Sequence, residues 1–152
     1  MDRLKIYLDN CCFNRPYDDQ SNVLVFLETE AKLFIQDLIH AGKLLLVWSF
    51  VLDYENAANP FEERKRSIST WKKLSITDCN LCDTIADTAE DLLKTGLRQK
   101  DASHIACAMY ADAAFFITTD KKILNKPIEG IHIINPIDFV RRYLVSLRKA
   151  FN

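Results

Sequence analysis

Two acidic residues stand where open parallel sheets gather their ligands. Asp9 follows Ile6-Tyr7-Leu8 and Asp120 follows Ile117-Thr118-Thr119, so each closes an apolar run that reads as a strand. Ligands in such sheets bind beyond the carboxyl ends of the strands, which directs both carboxylates to one crevice. Each residue also suits a plainer role, capping the helix or turn that comes next. Asp101 opens the segment Ala102-Ser103-His104-Ile105-Ala106, again a capping position. Glu55 falls inside a helix after the second strand, where a glutamate is ordinarily solvated. Cys79-Asn80-Leu81-Cys82 is a lone C-x-x-C, and His104 and Cys107 lie on a different helix. Nothing in that spacing requires zinc or thiol redox chemistry. Cys11, Cys12 and Cys107 read as small buried hydrophobes, and His104 as a packed or hydrogen-bonded helix residue rather than a general base.

The elements that must position these groups follow from hydrophobic periodicity. Ile6-Tyr7-Leu8, Leu44-Leu45-Leu46-Val47, Ala114-Phe115-Phe116-Ile117 and Ile131-His132-Ile133-Ile134 are continuously apolar, the pattern of strands covered on both faces. Between them the period becomes helical. Val23, Phe26, Leu27, Phe34, Leu38 and Ile39 share one stripe that stops at Gly42. Asn59-Pro60 before Glu62 and Glu63 predicts a helix start, with the helix running through Trp71. Asp78 is expected to open the helix carrying Leu81, Ile85, Ala89 and Leu92, which Gly96 closes. Asp101 to Asp112 reads as helical, and Asn135-Pro136 starts a last helix. Strands alternating with helices predict a three-layer α/β/α sandwich around a mostly parallel sheet. Residues 1–147 form one expected domain, with 148–152 as a tail.

Composition narrows the function classes. Three glycines in 152 residues leave no glycine-rich phosphate loop, so both the dinucleotide fingerprint and the Walker A motif are absent. The formal charge of −1 neither demands nor forbids a polyanionic partner. No apolar run approaches the ~20 residues that span a bilayer. Met1-Asp2-Arg3-Leu4-Lys5 lacks the character of a signal peptide, and five cysteines, two of them adjacent, do not make a disulfide framework. No membrane association and a cytoplasmic location with reduced thiols are the expectations.

Taken together in chain order, Leu8-Asp9, the segment from Ser49 to Glu55, Lys100-Asp101-Ala102-Ser103-His104-Ile105-Ala106 and Thr118-Thr119-Asp120 resemble the acidic quartet of the PIN domain family of metal-dependent nucleases. The resemblance runs from about Lys5 to Tyr143. It implies that Asp9, Glu55, Asp101 and Asp120 form a catalytic metal site, supported by Asn10 and Thr118. Carboxylates forced into one crevice repel one another, and a divalent cation turns that cost into affinity. Hard oxygen ligands favour Mg²⁺ or Mn²⁺. The implied activity is endoribonuclease cleavage of RNA phosphodiesters. Many small bacterial relatives are toxins of toxin-antitoxin pairs, which adds an antitoxin protein and a homodimer as expected partners. Arg15, Lys100, Lys121 and Lys122 are the expected phosphate contacts. Two departures stand out: Asn10 follows the first aspartate where many relatives carry Thr or Ser, and Lys121 to Asn125 offers no further acid for a second ion. The alternative reading is a PIN-like module that binds RNA or protein without turnover.

Overall fold

The computed structural model describes residues 3–150. Its centre is a sheet of five parallel strands, β1 (Leu4–Leu8), β2 (Leu44–Ser49), β3 (Ser75–Cys79), β4 (Phe115–Ile117) and β5 (His132–Ile134). The spatial order is β3-β2-β1-β4-β5. The chain moves outward on one side of β1 and then crosses to the other, so the strand order reverses at β1. Such a reversal opens a crevice beyond the carboxyl end of the central strand. Ile6, Leu46, Phe116 and Ile117 are fully buried, the condition that continuous apolar runs satisfy when helices cover both faces. The sandwich is a three-layer α/β/α arrangement, and its sheet is parallel throughout.

Eight α-helices complete the layers: α1 (Asn10–Asn14), α2 (Val23–His40), α3 (Phe50–Ala57), α4 (Glu62–Ser69), α5 (Asp83–Leu93), α6 (Gln99–Tyr110), α7 (Lys121–Leu124) and α8 (Pro136–Ala150). Helix α2 packs on α8, and α5 on α6. Gly42 ends the α2 connection with a φ of 71°, a conformation glycine adopts without penalty. Helix α8 continues through Ala150, into the segment expected as a tail, and Phe151 and Asn152 lie outside the described residues. No helix among the described residues is long and apolar enough to cross a membrane.

Two local expectations are corrected. Asp78 does not open a helix; it lies in β3, pairs in register with Trp48 of β2, and the next helix starts at Asp83 with Cys82 as its N-cap. Edge position explains the error, because Ile76 is exposed and the strand lacks a continuous apolar run. The helix expected from Asn59-Pro60 begins at Glu62 instead. Asn59 Oδ1 accepts from the Phe61 backbone N–H at 3.1 Å, closing a turn ahead of the helix. The chain from Thr70 to Leu74, through Trp71, is a separate 3₁₀ turn.

Candidate active site

Asp9 is the first residue beyond β1, and its position is fixed three ways. Its backbone N–H donates to Ile117 O at 2.9 Å, its Oδ1 accepts from the Asn10 N–H at 2.8 Å as it caps α1, and its Oδ2 accepts from Thr118 Oγ1 at 2.8 Å. Thr118 Oγ1 accepts in turn from the Asp120 N–H at 3.1 Å. One threonine therefore ties the ends of β1 and β4 together. Asp120 caps the short α7 by accepting from the Lys122 N–H at 2.9 Å.

Glu55 arrives from β2. Ser49 ends that strand and caps α3, its Oγ accepting from the Leu52 N–H at 3.3 Å, so the helix begins at once and carries Glu55 back over the crevice. There its Oε2 accepts from Asn10 Nδ2 at 3.0 Å, while Oε1 meets His104 Nε2. Asp101, in the first turn of α6, completes the set of acids. Asp9, Glu55, Asp101 and Asp120 all line one cleft of about 500 Å³, with Asn10, Cys11, Asn14, Asp18, Arg98 and Lys100.

Within that cleft the four acids divide into two groups. Oxygens of Asp9 and Glu55 and a ring nitrogen of His104 lie within 4.8 Å of one another. On the other wall, Arg98 Nε donates to Asp101 Oδ2 at 2.9 Å and its Nη2 to Asp120 Oδ2 at 3.3 Å. The donor set on the first wall suits a divalent cation. Asn10 Oδ1 is a buried acceptor without a partner beside it, and such an atom favours an added ion or water.

Electrostatics at the first wall mark the carboxylates as unequal. Burial pushes Asp9 above the usual carboxylate range, with the nearby Glu55 charge adding to the rise, against the opposing pull of His104 and Thr118. Burial would also raise Glu55, but the His104 hydrogen bond and charge, the Lys100 charge and Asn10 outweigh it and hold Glu55 below its ordinary value. Two carboxyl groups pushed in opposite directions a few ångströms apart are typical of a site built for charge.

Sequence reasoning left two residues out of this group. His104 is 1% exposed, and its Nδ1 hydrogen-bonds the Tyr7 hydroxyl, which shares a 2.6 Å hydrogen bond with Ser49 Oγ. The signal was the helical spacing: His104 is three residues beyond Asp101 and so lies on the same face of α6. Arg98, the N-cap of α6, gave no signal, since its importance lies in where a long side chain reaches. Lys100 lines the cleft, whereas Lys122 borders an adjoining hollow of about 350 Å³ beside Arg98 and Asp101. Lys121 is exposed on the first turn of α7 and lines neither. Arg15 does not itself line the cleft but pairs at 2.9 Å with Asp18, which does, and at 3.3 Å with the buried Glu28, which needs a cation where it sits. All five cysteines are free, and Cys79 Sγ donates to Cys107 O at 3.6 Å. Among the described residues, Asp9, Glu55 and His104 form the only group of three or more such side chains spaced for a metal.

No family model and no curated protein matches the chain. Solved structures do. A chain of VapBC2 from Rickettsia felis bound to a DNA fragment from their promoter superimposes with a TM-score of 0.54 at 11% identity, over 87% of this chain and 98% of that one. A chain of DNA-bound VapBC from Salmonella typhimurium gives a TM-score of 0.56 at 14% identity, over 88% and 98%. The fold is PIN-like. The four acids line the crevice beyond β1, at the strand-order reversal where open parallel sheets commonly take ligands.

Proposed function

We propose that the protein is a Mg²⁺- or Mn²⁺-dependent endoribonuclease, the toxin of a toxin-antitoxin pair, with Asp9, Glu55, Asp101 and Asp120 as its catalytic metal site. The observation that carries the reading is the convergence of four carboxylates from four separate segments on one cleft at the strand-order reversal. Arg98 offsets the repulsion at Asp101 and Asp120, and the charge of Asp9 and Glu55, which it does not reach, is a cost that a cationic occupant would remove. The antitoxin partner follows from the PIN resemblance and from the VapBC assemblies to which the fold is similar; a homodimer follows from the resemblance alone.

In this reading each residue has a defined task. Asp9 and Glu55 hold the ion, with Thr118 and Asn10 fixing the orientation of their carboxylates. When bound, the ion supplies charge stabilisation at a scissile phosphate and a more acidic water. Arg98 balances Asp101 and Asp120, and its side chain, 68% exposed, is free to turn to a phosphate oxygen when the acids take a metal. Lys100 adds positive charge at the rim. Arg98 also gives the non-catalytic alternative its one support, because an internal cation already satisfies two of the four acids.

Cleavage of end-labelled RNA by the purified chain decides between them. Internal cuts in Mn²⁺ or Mg²⁺ that stop in excess chelator are the expected result. Binding of RNA without cleavage under any divalent ion would leave the binding module as the function.

A further inference from the structure

The two walls of the cleft are not equivalent hosts for an ion. Asp101 and Asp120 each spend an oxygen on Arg98, so the protein already supplies their positive charge. Asp9 and Glu55 have no Lys or Arg side chain within bonding distance, and the third donor atom beside them is the Nε2 of His104, 3.8 Å from Asp9 Oδ1. With metal–ligand bonds of about 2.1 Å, ligands on opposite sides of one ion stand roughly 4.2 Å apart. The three donors lie within 4.8 Å of one another, so a single ion is within their reach once Glu55 Oε1 moves off His104 Nε2, with which it is hydrogen-bonded.

The imidazole is also held as a ligand would be. Its Nδ1 hydrogen-bonds Tyr7, Tyr7 bonds Ser49, and Ser49 is anchored by the Leu52 N–H, all in the buried interior. A partner on the far ring nitrogen fixes the ring's orientation and holds Nε2 on the side of Asp9 and Glu55, where Glu55 Oε1 now occupies it. Phe116 stacks on Tyr7 with centroids 5.3 Å apart, so the phenol cannot swing away.

We propose that His104 Nε2 is a protein ligand of the ion beside Asp9 and Glu55, and that this nitrogen biases the site toward Mn²⁺ over Mg²⁺. A bound ion would require the tautomer whose proton is on Nδ1, donated to the Tyr7 hydroxyl, so that the Nε2 lone pair is free for the ion and any proton between Nε2 and Glu55 is released to solvent. Mg²⁺ takes oxygen ligands almost exclusively, whereas imidazole is a good donor to the first-row transition ions. The inference rests on the metal-site reading above, yet it is tested by binding and spectroscopy without any RNA.

Mn²⁺ bound to the wild-type chain shows electron spin-echo modulation from a directly coordinated ¹⁴N nucleus. His104→Gln abolishes that modulation and lowers the ratio of Mn²⁺ to Mg²⁺ affinity, measured by titration calorimetry, on the order of 10-fold. Tyr7→Phe keeps the nitrogen signal and weakens Mn²⁺ about 10-fold, because the ring loses its orienting partner. The wild-type spectrum suffices even if a variant fails to fold. Bound Mn²⁺ without nitrogen modulation, or an unchanged affinity ratio in His104→Gln, overturns the proposal and leaves the carboxylate site standing. Absence of binding by either ion overturns both. Nitrogen-coordinated Mn²⁺ in a chain that cuts no RNA upholds the ligand and removes the nuclease.

Discussion

Two clefts of about 500 Å³ each open at opposite ends of the same sheet, and they share almost no chemistry. The one beyond the carboxyl ends of the strands is lined by five acids, Arg98, Lys100 and the amides of Asn10 and Asn14. The one at the amino ends has Leu4, Leu44 and Phe115, the first residues of β1, β2 and β4, with Phe139, Tyr143 and Leu147 of α8 as its wall, and Arg3, Lys43 and Arg142 at its edge. Between them the inner strands bury Ile6, Tyr7, Leu46, Val47 and Phe116. The contrast lies in the residue types at the two strand ends and in what the following helices return to them. Asp9, Ser49, Thr118 and Thr119 are all buried polar residues at carboxyl ends, joined there by Asp101 and His104 from α6. Buried polar groups cost stability unless they are paired, so the fold carries its cost at one edge and its plain packing at the other.

If that division is functional, the largest effect comes from exchanging one acid of the polar cleft and one cation of the apolar cleft. Asp9→Asn is expected to lower metal-dependent RNA cleavage by more than about 100-fold, since loss of a ligand exceeds the usual penalty for loss of a supporting contact. Its thermal midpoint should hold or rise: burial makes the charged form of Asp9 unfavourable, and the amide removes that charge. Arg142→Ala, which removes a guanidinium 5.8 Å above the Phe115 ring, should leave cleavage unchanged. Equal losses of cleavage in the two variants would end the distinction between the clefts.

The cost of the polar edge is itself measurable at Lys32. This lysine is 5% exposed beneath α1, beside Phe13, and burial lowers it to about 8 from 10.5. Below pH 8 it is charged in both states and the folded state bears the desolvation penalty. Between about 8 and 10.5 the unfolded chain binds the extra proton, so this residue's contribution to stability rises with pH. Lys32→Met should therefore exceed wild type by on the order of 2–3 kcal/mol below pH 8, with the gap closing toward pH 10. Chemical denaturation of both proteins across that range checks it, and a gap independent of pH would show that the lysine is paired rather than strained. Comparing the two proteins cancels the alkaline titration of the buried Tyr7 phenol, while the Cys12 thiol, which the Lys32 charge pulls down, rises further in Lys32→Met.

The same edge marks how far the sequence could be read. Four apolar runs named the interior strands β1, β2 and β4, which must be apolar on both faces, and β5, an edge strand that keeps an apolar run around His132. Strand β3 escaped since an edge strand with Ile76 in solvent shows no such run, and its Asp78 imitated a helix cap. Asp9 and Asp120 were legible as strand-end acids from topology alone. Glu55 and Asp101 looked ordinary one at a time, and only their order along the chain, through the PIN resemblance, drew attention to them. His104 carried one signal, its place on the Asp101 face of α6, and Arg98 carried none. Their significance depends on which neighbour a side chain meets across the fold, a property that spacing in one dimension encodes only where two residues share a helix face.

The smallest expected effect tests whether the clefts differ toward a polyanion as they do toward a metal. Lys100 lines the acidic cleft, where its charge already helps to hold Glu55 below its ordinary range. Lys43 lines the apolar one. Both carry one positive charge, so non-specific attraction to RNA treats them alike, and only a phosphate seated in the acidic cleft separates them. Each phosphate contact to a single strand releases counterions and contributes about −0.7 to the slope of log affinity against log salt. Lys100→Ala should make that slope shallower by about this amount and weaken RNA binding several-fold at low salt, with the thermal midpoint held. Lys43→Ala should leave the slope within error of wild type. The measurement is a filter-binding series from low to moderate salt, with the catalytic site silenced by Asp9→Asn so that binding is read without cleavage. A shallower slope from Lys43→Ala and none from Lys100→Ala would move the RNA path to the amino-terminal edge, away from the carboxylates and from the chemistry assigned to them.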